Sequence, residues 1–184
     1  LNTAELGAEL DSSNGWRRDK VHQMLLWRED RSAEPLLATL AGKSANPLAR
    51  LHALCVLDGL GLLTNSVLQS ALRDSTAGVR ENALRLAETR LDAALLKATA
   101  PLVDDPSPKV RLQLAFSLGE SRDPAAGGLL GRLLVDHAGD PWLVAAVLSS
   151  AIHHVFPLVS ALDRVDSRQR PALAEQLFGT ALGT

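Results

Sequence analysis

The chain has 184 residues, of which 37 are Leu and 27 Ala, while Val (12), Ile (1) and the aromatics (three Trp, three Phe, no Tyr) are scarce. Strong helix formers dominate, which argues against a β-sandwich, a barrel and a Val/Ile-rich parallel sheet. A formal charge of −2 gives no global pull toward nucleic acid or an anionic membrane, and the single cysteine, Cys55, excludes an internal disulfide, a thiolate zinc cluster and a CxxCH haem attachment.

The chain opens at Leu1, without Met and without a basic stretch leading into an apolar one, and reads as an excised or processed segment that starts inside a helix. Asn2 to Leu10 reads as the second helix of an incomplete unit, 1–12. A unit over 13–44 then begins a helix near Gly15, after Asn14, and carries the apolar positions Leu36, Leu37 and Leu40 of a second helix. The unit 45–75 starts at Pro47 after Asn46, with Val67, Leu68 and Leu72 in its second helix. The unit 76–106 starts at Ala77 after Thr76, with Leu95, Leu96 and Leu102. The unit 107–138 starts at Pro108 after Ser107, with Leu129, Leu130, Leu133 and Leu134. The unit 139–168 starts at Pro141 after Asp140, with Leu158, Val159 and Leu162, and its break is expected near Phe156-Pro157. A closing helix spans 170–182. No linker-like stretch interrupts the series, so residues 1–184 read as one domain.

The repeat is set by Arg18, Arg50, Arg80 and Arg111, spaced by 32, 30 and 31 residues, with Val144 a further 33 on. Four residues before each stand Asn14, Asn46, Thr76, Ser107 and Asp140, all N-cap types. Pro follows the cap in three of the five, at the helical position where a missing N–H costs nothing. Val21, Ala53, Ala83, Leu114 and Val147 stand three residues after the arginine register, and Leu25, Leu57, Ala87, Leu118 and Ala151 seven after it. These positions share one helix face and are the expected core. Two-helix units of about 31 residues cannot bury their apolar faces alone, so stacking is expected to build a solenoid of two helical layers.

Asp105-Pro106-Ser107-Pro108-Lys109-Val110-Arg111, followed by Ala115 and Leu118-Gly119-Glu120, resembles the HEAT-like repeat of phycobilisome-lyase relatives. Gly78-Val79-Arg80 through Leu84 and Asn46-Pro47-Leu48-Ala49-Arg50 through Leu57 are similar to it. The resemblance covers about residues 12–150 and implies an all-α, armadillo-like, right-handed α-solenoid (α/α superhelix). A narrower resemblance rests on Asn14-Gly15-Trp16-Arg17-Arg18-Asp19, Asn46 through Leu54, and Leu57-Asp58-Gly59-Leu60-Gly61. It is to the HEAT-repeat segment of exported bacterial proteins that place a sugar-dehydrogenase-like propeller before the repeats and a c-type cytochrome domain after them. That likeness implies a segment of a membrane-bound dehydrogenase, periplasmic or exported, whose chemistry belongs to other domains.

In repeats of this kind the arginine-bearing helix lines the concave side, and positions −2, +1, +5 and +9 from the arginine face the groove. Carried onto this sequence, the candidate partner-binding face comprises Trp16, Asp19, Gln23 and Trp27, then Leu51, then Glu81 and Arg85, then Lys109, Phe116 and Glu120, then Trp142, Ser149 and His153. All three tryptophans fall on it. The arginine row itself reads as structural, each guanidinium bonding an acceptor at the preceding turn, with Ser12, Ser44, Asp74 and Asp105 six residues upstream. Val144 has no such partner at Ala138, and an apolar contact is expected there.

No GxSxG, HExxH or P-loop occurs. His153-His154 diverge on a helix, Asp136, His137 and Asp140 read as helix termination, Cys55 reads as a buried inert thiol, and Gly59-Leu60-Gly61 reads as a helix end needing positive φ. Neither a catalytic residue, a cofactor nor a metal is expected. The leading expectation is a non-enzymatic interaction or spacer module for a protein or a neighbouring domain of the same polypeptide, with no nucleic acid and no membrane insertion. The competing one is a HEAT-like DNA glycosylase, with Trp16, Trp27 and Trp142 as aromatics and Asp19 or Glu81 as carboxylate. A chromophore-lyase role rests on analogy of fold alone.

Overall fold

The computed structural model describes residues 1–182; Gly183 and Thr184, the last two of the expected domain, lie outside the described residues. Among those described, the chain is all helical, with twelve α-helices, four short 3-10 turns and no strand. The helices are α1 (Thr3–Leu10), α2 (Gly15–Trp27), α3 (Glu34–Lys43), α4 (Pro47–Gly59), α5 (Asn65–Ala71), α6 (Ala77–Ala87), α7 (Ala93–Thr99), α8 (Pro108–Gly119), α9 (Pro124–Asp136), α10 (Pro141–Ser149), α11 (Val155–Leu162) and α12 (Arg170–Leu182). The five expected starts at Gly15, Pro47, Ala77, Pro108 and Pro141 are the observed ones.

The chain gathers into two compact units, Leu1–Leu86 and the part from Ala87 onward. Within the first, α1 packs on α2, α3 on α4, α2 on α4, and α3 on both α1 and α5. Within the second, α8 packs on α9 and α10, α9 on α11, and α12 on α10 and α11. Within each unit, helices such as α2 and α4, α8 and α10, and α9 and α11 therefore pack two places along the chain. The +3 and +7 residues, Val21, Ala53, Ala83, Leu114 and Val147 with Leu25, Leu57, Ala87, Leu118 and Ala151, are all buried. Covering a Leu or Val side chain contributes about 1.5–3 kcal/mol before the entropy of ordering is set against it.

The junctions before the arginines share one construction. Nη1 of Arg18, Arg50, Arg80 and Arg111 donates to the backbone carbonyl six residues upstream, on Ser12 (2.7 Å), Ser44 (2.8 Å), Asp74 (2.7 Å) and Asp105 (2.6 Å). The side chain of that upstream residue accepts from the N–H two residues on: Asn14 (3.2 Å), Asn46 (3.0 Å), Thr76 (2.8 Å) and Ser107 (2.9 Å). One residue therefore closes the turn with its side chain and receives the arginine on its carbonyl. Asn14, Asn46 and Asp140 cap their helices as expected, accepting from Arg17, from Leu48, and from Trp142 and Leu143. Ser107 makes no side-chain cap bond.

Arg50 also reaches forward. Its Nε and Nη2 lie 2.7 Å from the two carboxylate oxygens of Asp74, in a fork, and Nη2 donates to Thr76 Oγ1 at 3.1 Å. Arg50 is buried (8% exposed), so this pair sits largely out of water. The bond to Asp74 raises the arginine's pKa above its ordinary value. Burial alone would raise the Asp74 carboxyl, but the bonds from Arg50 and the Thr76 N–H, with the charges of Arg50 and Arg80, outweigh it and hold it below the ordinary value. Arg80 and Arg111 are half-buried rather than fully enclosed.

Two expectations are corrected at the C-terminal side. The break in the last unit falls upstream of Phe156-Pro157: α10 ends at Ser149, Ala151–His153 forms a 3-10 turn, and Pro157 sits in the first turn of α11, where its missing N–H costs no helix bond. At the junction without an arginine, Val144 is buried as expected, but the Ala138 carbonyl receives Gln169 Nε2, at a long 3.5 Å. Leu1 precedes α1, which Asn2 and Glu5 close with a capping box. Gly61, just past α4, takes φ 66°, and the N–H groups of Gly61 and Leu62 bond the carbonyls of Asp58 and Leu57 in a Schellman motif.

Truncating Arg50 to Ala leaves Asp74 largely buried and unpaired, so urea titration at neutral pH is expected to show a loss of about 3 kcal/mol, against about 0.5 kcal/mol or less for exposed Arg168→Ala. The Asp74 contribution has a fixed sign with pH. Its folded-state pKa is depressed, so the stabilisation is present above the ordinary carboxylate value, near pH ~4, and is lost as pH falls through the lower folded value. The stability gap between the wild-type chain and Asp74→Asn is expected to be constant from pH 7 to about 5 and to shrink in acid.

Candidate functional site

The candidate face follows from which helix positions are already used. On the arginine-bearing helices the core takes +3 and +7, and the arginine is turned inward. What is left is −2, +1, +5 and +9, and no residue at these positions is buried. Trp16 (68% exposed) and Trp27 (78%) stand on the solvent side of α2, eleven residues or about three turns apart, with Asp19 and Gln23 between them. Leu51 on α4 and Glu81 on α6 are half-buried, and Arg85 on α6 is exposed. These seven residues belong to the first unit.

In the second unit the structure brings several of the predicted residues together. Leu112 and Phe116 of α8, with Trp142, Ala145, Ala146 and Ser149 of α10, line an apolar groove of about 400 Å³. Trp142 is 79% exposed and Phe116 44%, so the aromatic walls face solvent. Phe116, Glu120, Ser149 and His153 share a second, mainly polar groove of about 390 Å³ with Arg122 and Ile152. Lys109 is exposed at the start of α8. The approach of α8 to α10 is set by small residues: a Cβ on Gly119 would lie 2.6 Å from Ser150 Cβ and 3.1 Å from its Cα.

The sequence reading did not find the contribution of α12. Ala172, Gln176 and Phe178 join Ala145 and Ser149 around a wider depression of about 990 Å³. Phe178 is half exposed, as are Ile152 and Phe156 still more fully, and none lies on an arginine-bearing helix where the repeat register could have marked it.

The histidines also pair differently from the sequence reading. His153 and His154 stay apart, with ring centroids 6.5 Å from one another, and the buried His154 Nε2 bonds the Ser121 carbonyl at 2.8 Å. His137 bonds the Val103 carbonyl at 3.1 Å and Asp140 caps α10, so helix termination accounts for that stretch. His22 on α2 and His52 on α4, by contrast, meet Nδ1 to Nδ1 at 3.2 Å, and Asp19 Oδ1 lies 3.7 Å from Nε2 of His52. Burial lowers the pKa of both imidazoles; the neighbouring His52 lowers His22 further, while Asp19 pulls both the other way. Their spacing of 30 residues, one repeat, was the signal that could have revealed the pair. Cys55 is half-buried rather than enclosed, and burial, followed by the charge of Asp58, raises its thiol pKa, so little thiolate forms at neutral pH.

Among the described residues no group of three or more His, Cys, Asp or Glu side chains is placed to hold a metal ion, and no helix is long and apolar enough to cross a membrane. Compared with known proteins, the chain matches no family model and no curated relative.

Because all three indoles stand outside the core, acrylamide should quench nearly all the tryptophan emission of the folded chain, with a quenching constant within about twofold of that in urea. A large fraction of emission shielded from the quencher would contradict this placement.

Proposed function

We propose that the chain is a non-enzymatic docking module, a HEAT-like α-solenoid whose arginine-bearing helices present a face to a protein partner or to a neighbouring domain of the same polypeptide. The alternation of contacts within each unit, where a helix packs on the helix two places along, supports stacking of two-helix repeats. The observation that carries the docking reading is the α8–α10 groove. Its lining joins the exposed aromatics Phe116 and Trp142 to the small residues Ala145, Ala146 and Ser149. An exposed Trp or Phe beside small apolar residues is the arrangement in which an anchor residue gains most on binding, because aromatics bury large area with few rotors to freeze. An inert spacer has no use for three solvent-facing indoles, Trp16 and Trp142 at −2 and Trp27 at +9.

The ligand that fits is a protein segment with one apolar anchor flanked by polar residues that meet Glu120, Arg122 and His153 in the second groove. The resemblance to the HEAT-repeat segment of exported dehydrogenase–cytochrome proteins makes a neighbouring redox domain the natural source of that segment. A nucleic-acid groove is disfavoured by the formal charge of −2 and by the carboxylates of Asp19, Glu81 and Glu120 among the outward positions.

Selection of random peptides against the full chain tests the reading. Selected peptides should share an apolar anchor and lose at least about tenfold in affinity with Trp142→Ala or Phe116→Asp, an effect of the size expected for an interface hot spot. Peptides indifferent to both substitutions would overturn it. So would micromolar binding of duplex DNA that falls steeply with salt, which would favour the nucleic-acid reading.

A further inference from the structure

The His22–His52 pair has a geometry that a hydrogen bond does not exhaust. The two rings are held on different helices, α2 and α4, which pack directly on one another. Both imidazoles are half-buried, their centroids 5.3 Å apart and their planes at 82°. Their Nδ1 atoms face each other at 3.2 Å. Two metal–imidazole bonds of about 2.0–2.1 Å that meet near the tetrahedral angle hold their nitrogens about 3.3–3.4 Å apart. The observed separation is within about 0.2 Å of that bite.

Behind His52 stands a carboxylate. Asp19 Oδ1 lies 3.7 Å from Nε2 of His52, beyond hydrogen-bond distance, and its charge favours a proton on that nitrogen. The Nδ1 lone pair of His52 is then left toward His22, whose own Nδ1–H donates to it. A carboxylate hydrogen-bonded to the outer nitrogen is the usual support of a metal-ligating histidine, and the exposed Asp19 side chain needs to move in by less than about 1 Å to supply that bond.

We propose that His22 and His52 form a two-histidine chelate for a late first-row divalent cation, with Zn2+ as the probe and water completing the coordination sphere. On binding, the His22 proton moves through solvent from Nδ1 to Nε2, so two neutral rings take up the cation with no net proton change. The Asp19 carboxylate offsets part of the added charge. Arg18, whose charge acts on His52, opposes it, but its Nη1 is committed to the Ser12 carbonyl. With two protein ligands the site is open, and affinity should follow the general order in which Cu2+ exceeds both Ni2+ and Zn2+. This inference is independent of the docking reading, since neither imidazole lines the α8–α10 groove.

Titration calorimetry of the full chain with Zn2+ is expected to give one site per chain. His22→Ala and His52→Ala should each weaken it at least about tenfold, and Asp19→Asn by about tenfold as an outer support. Asp136→Asn, an exposed carboxylate in the second unit, should leave it unchanged. Far-UV circular dichroism and a urea midpoint for each variant separate loss of the ligand from loss of the fold. As a second readout, Co2+ should give the strong visible absorption of a four-coordinate ion in the wild-type chain and not in either single variant. Zn2+ bound equally by the wild-type chain and by the folded His22→Ala/His52→Ala double variant would overturn the proposal, as would the absence of one-to-one binding by the wild-type chain.

Discussion

The repeating part of this structure depends on one bond, donated by an arginine in the second turn of a helix to the carbonyl six residues upstream. That carbonyl belongs to the turn joining one helix pair to the next, where no intrahelical partner exists for it. A guanidinium is suited to the position because it brings several donors in a rigid plane and stays charged in a poorly solvated place. The bond is charge-assisted and short, 2.6–2.8 Å in all four cases. It also explains the residue types at the upstream position. Ser12, Ser44, Asp74 and Asp105 each carry an oxygen short enough to close the turn on the N–H two residues ahead, which leaves the carbonyl aimed at the arginine. Arg50 adds a second function to the first, since its remaining donors clamp Asp74 and so tie one junction to the next.

Fixing the arginine fixes the rotation of the helix, and with it the face left over. Once +3 and +7 are committed to the core and the arginine is turned inward, −2, +1, +5 and +9 have nowhere to point but outward. On α2 this leaves Trp16 exposed; on α10 the buried Val144 takes the arginine's place, and Trp142 at the equivalent position is exposed as well. Side chains of that size are costly to leave in water, and nothing in the core geometry demands them there. The groove between α8 and α10 depends further on small residues. Gly119 lets α8 approach the Ser150 backbone, and Ala145 and Ala146 leave room between Phe116 and Trp142.

Departures from the repeat show what the arginine accomplishes. At Val144 the donor is gone, and the Ala138 carbonyl is met only by Gln169, across 3.5 Å. Ala138 and Val144 there border an opening of about 710 Å³ together with Arg168, Gln169 and Leu173. Histidines take over elsewhere in the second unit, His137 reaching the Val103 carbonyl and His154 that of Ser121. These bonds span 34 and 33 residues, about one repeat, so the same task of tying neighbouring turns is done there by an imidazole.

The helix starts, the buried registers and the all-helical class were legible in the sequence because each is set by local chemistry: an N-cap oxygen, a proline that needs no donor, an apolar period of 3.6 residues. The exposure of the candidate face was legible for the same reason, as the complement of the core. Other features were not. That Arg50 grips the Asp74 carboxylate, that His22 meets His52, and that α12 brings Phe178 beside Ala145 all depend on how one helix is shifted and rotated against another 24 to 33 residues away. Close approaches that leave no room for a Cβ, Gly7 against Leu36 and Gly59 against Leu26 in the first unit and Gly119 against Ser150 in the second, belong to that register. A sequence records which residues are small; only the packed structure decides which side chains those contacts bring within bonding distance.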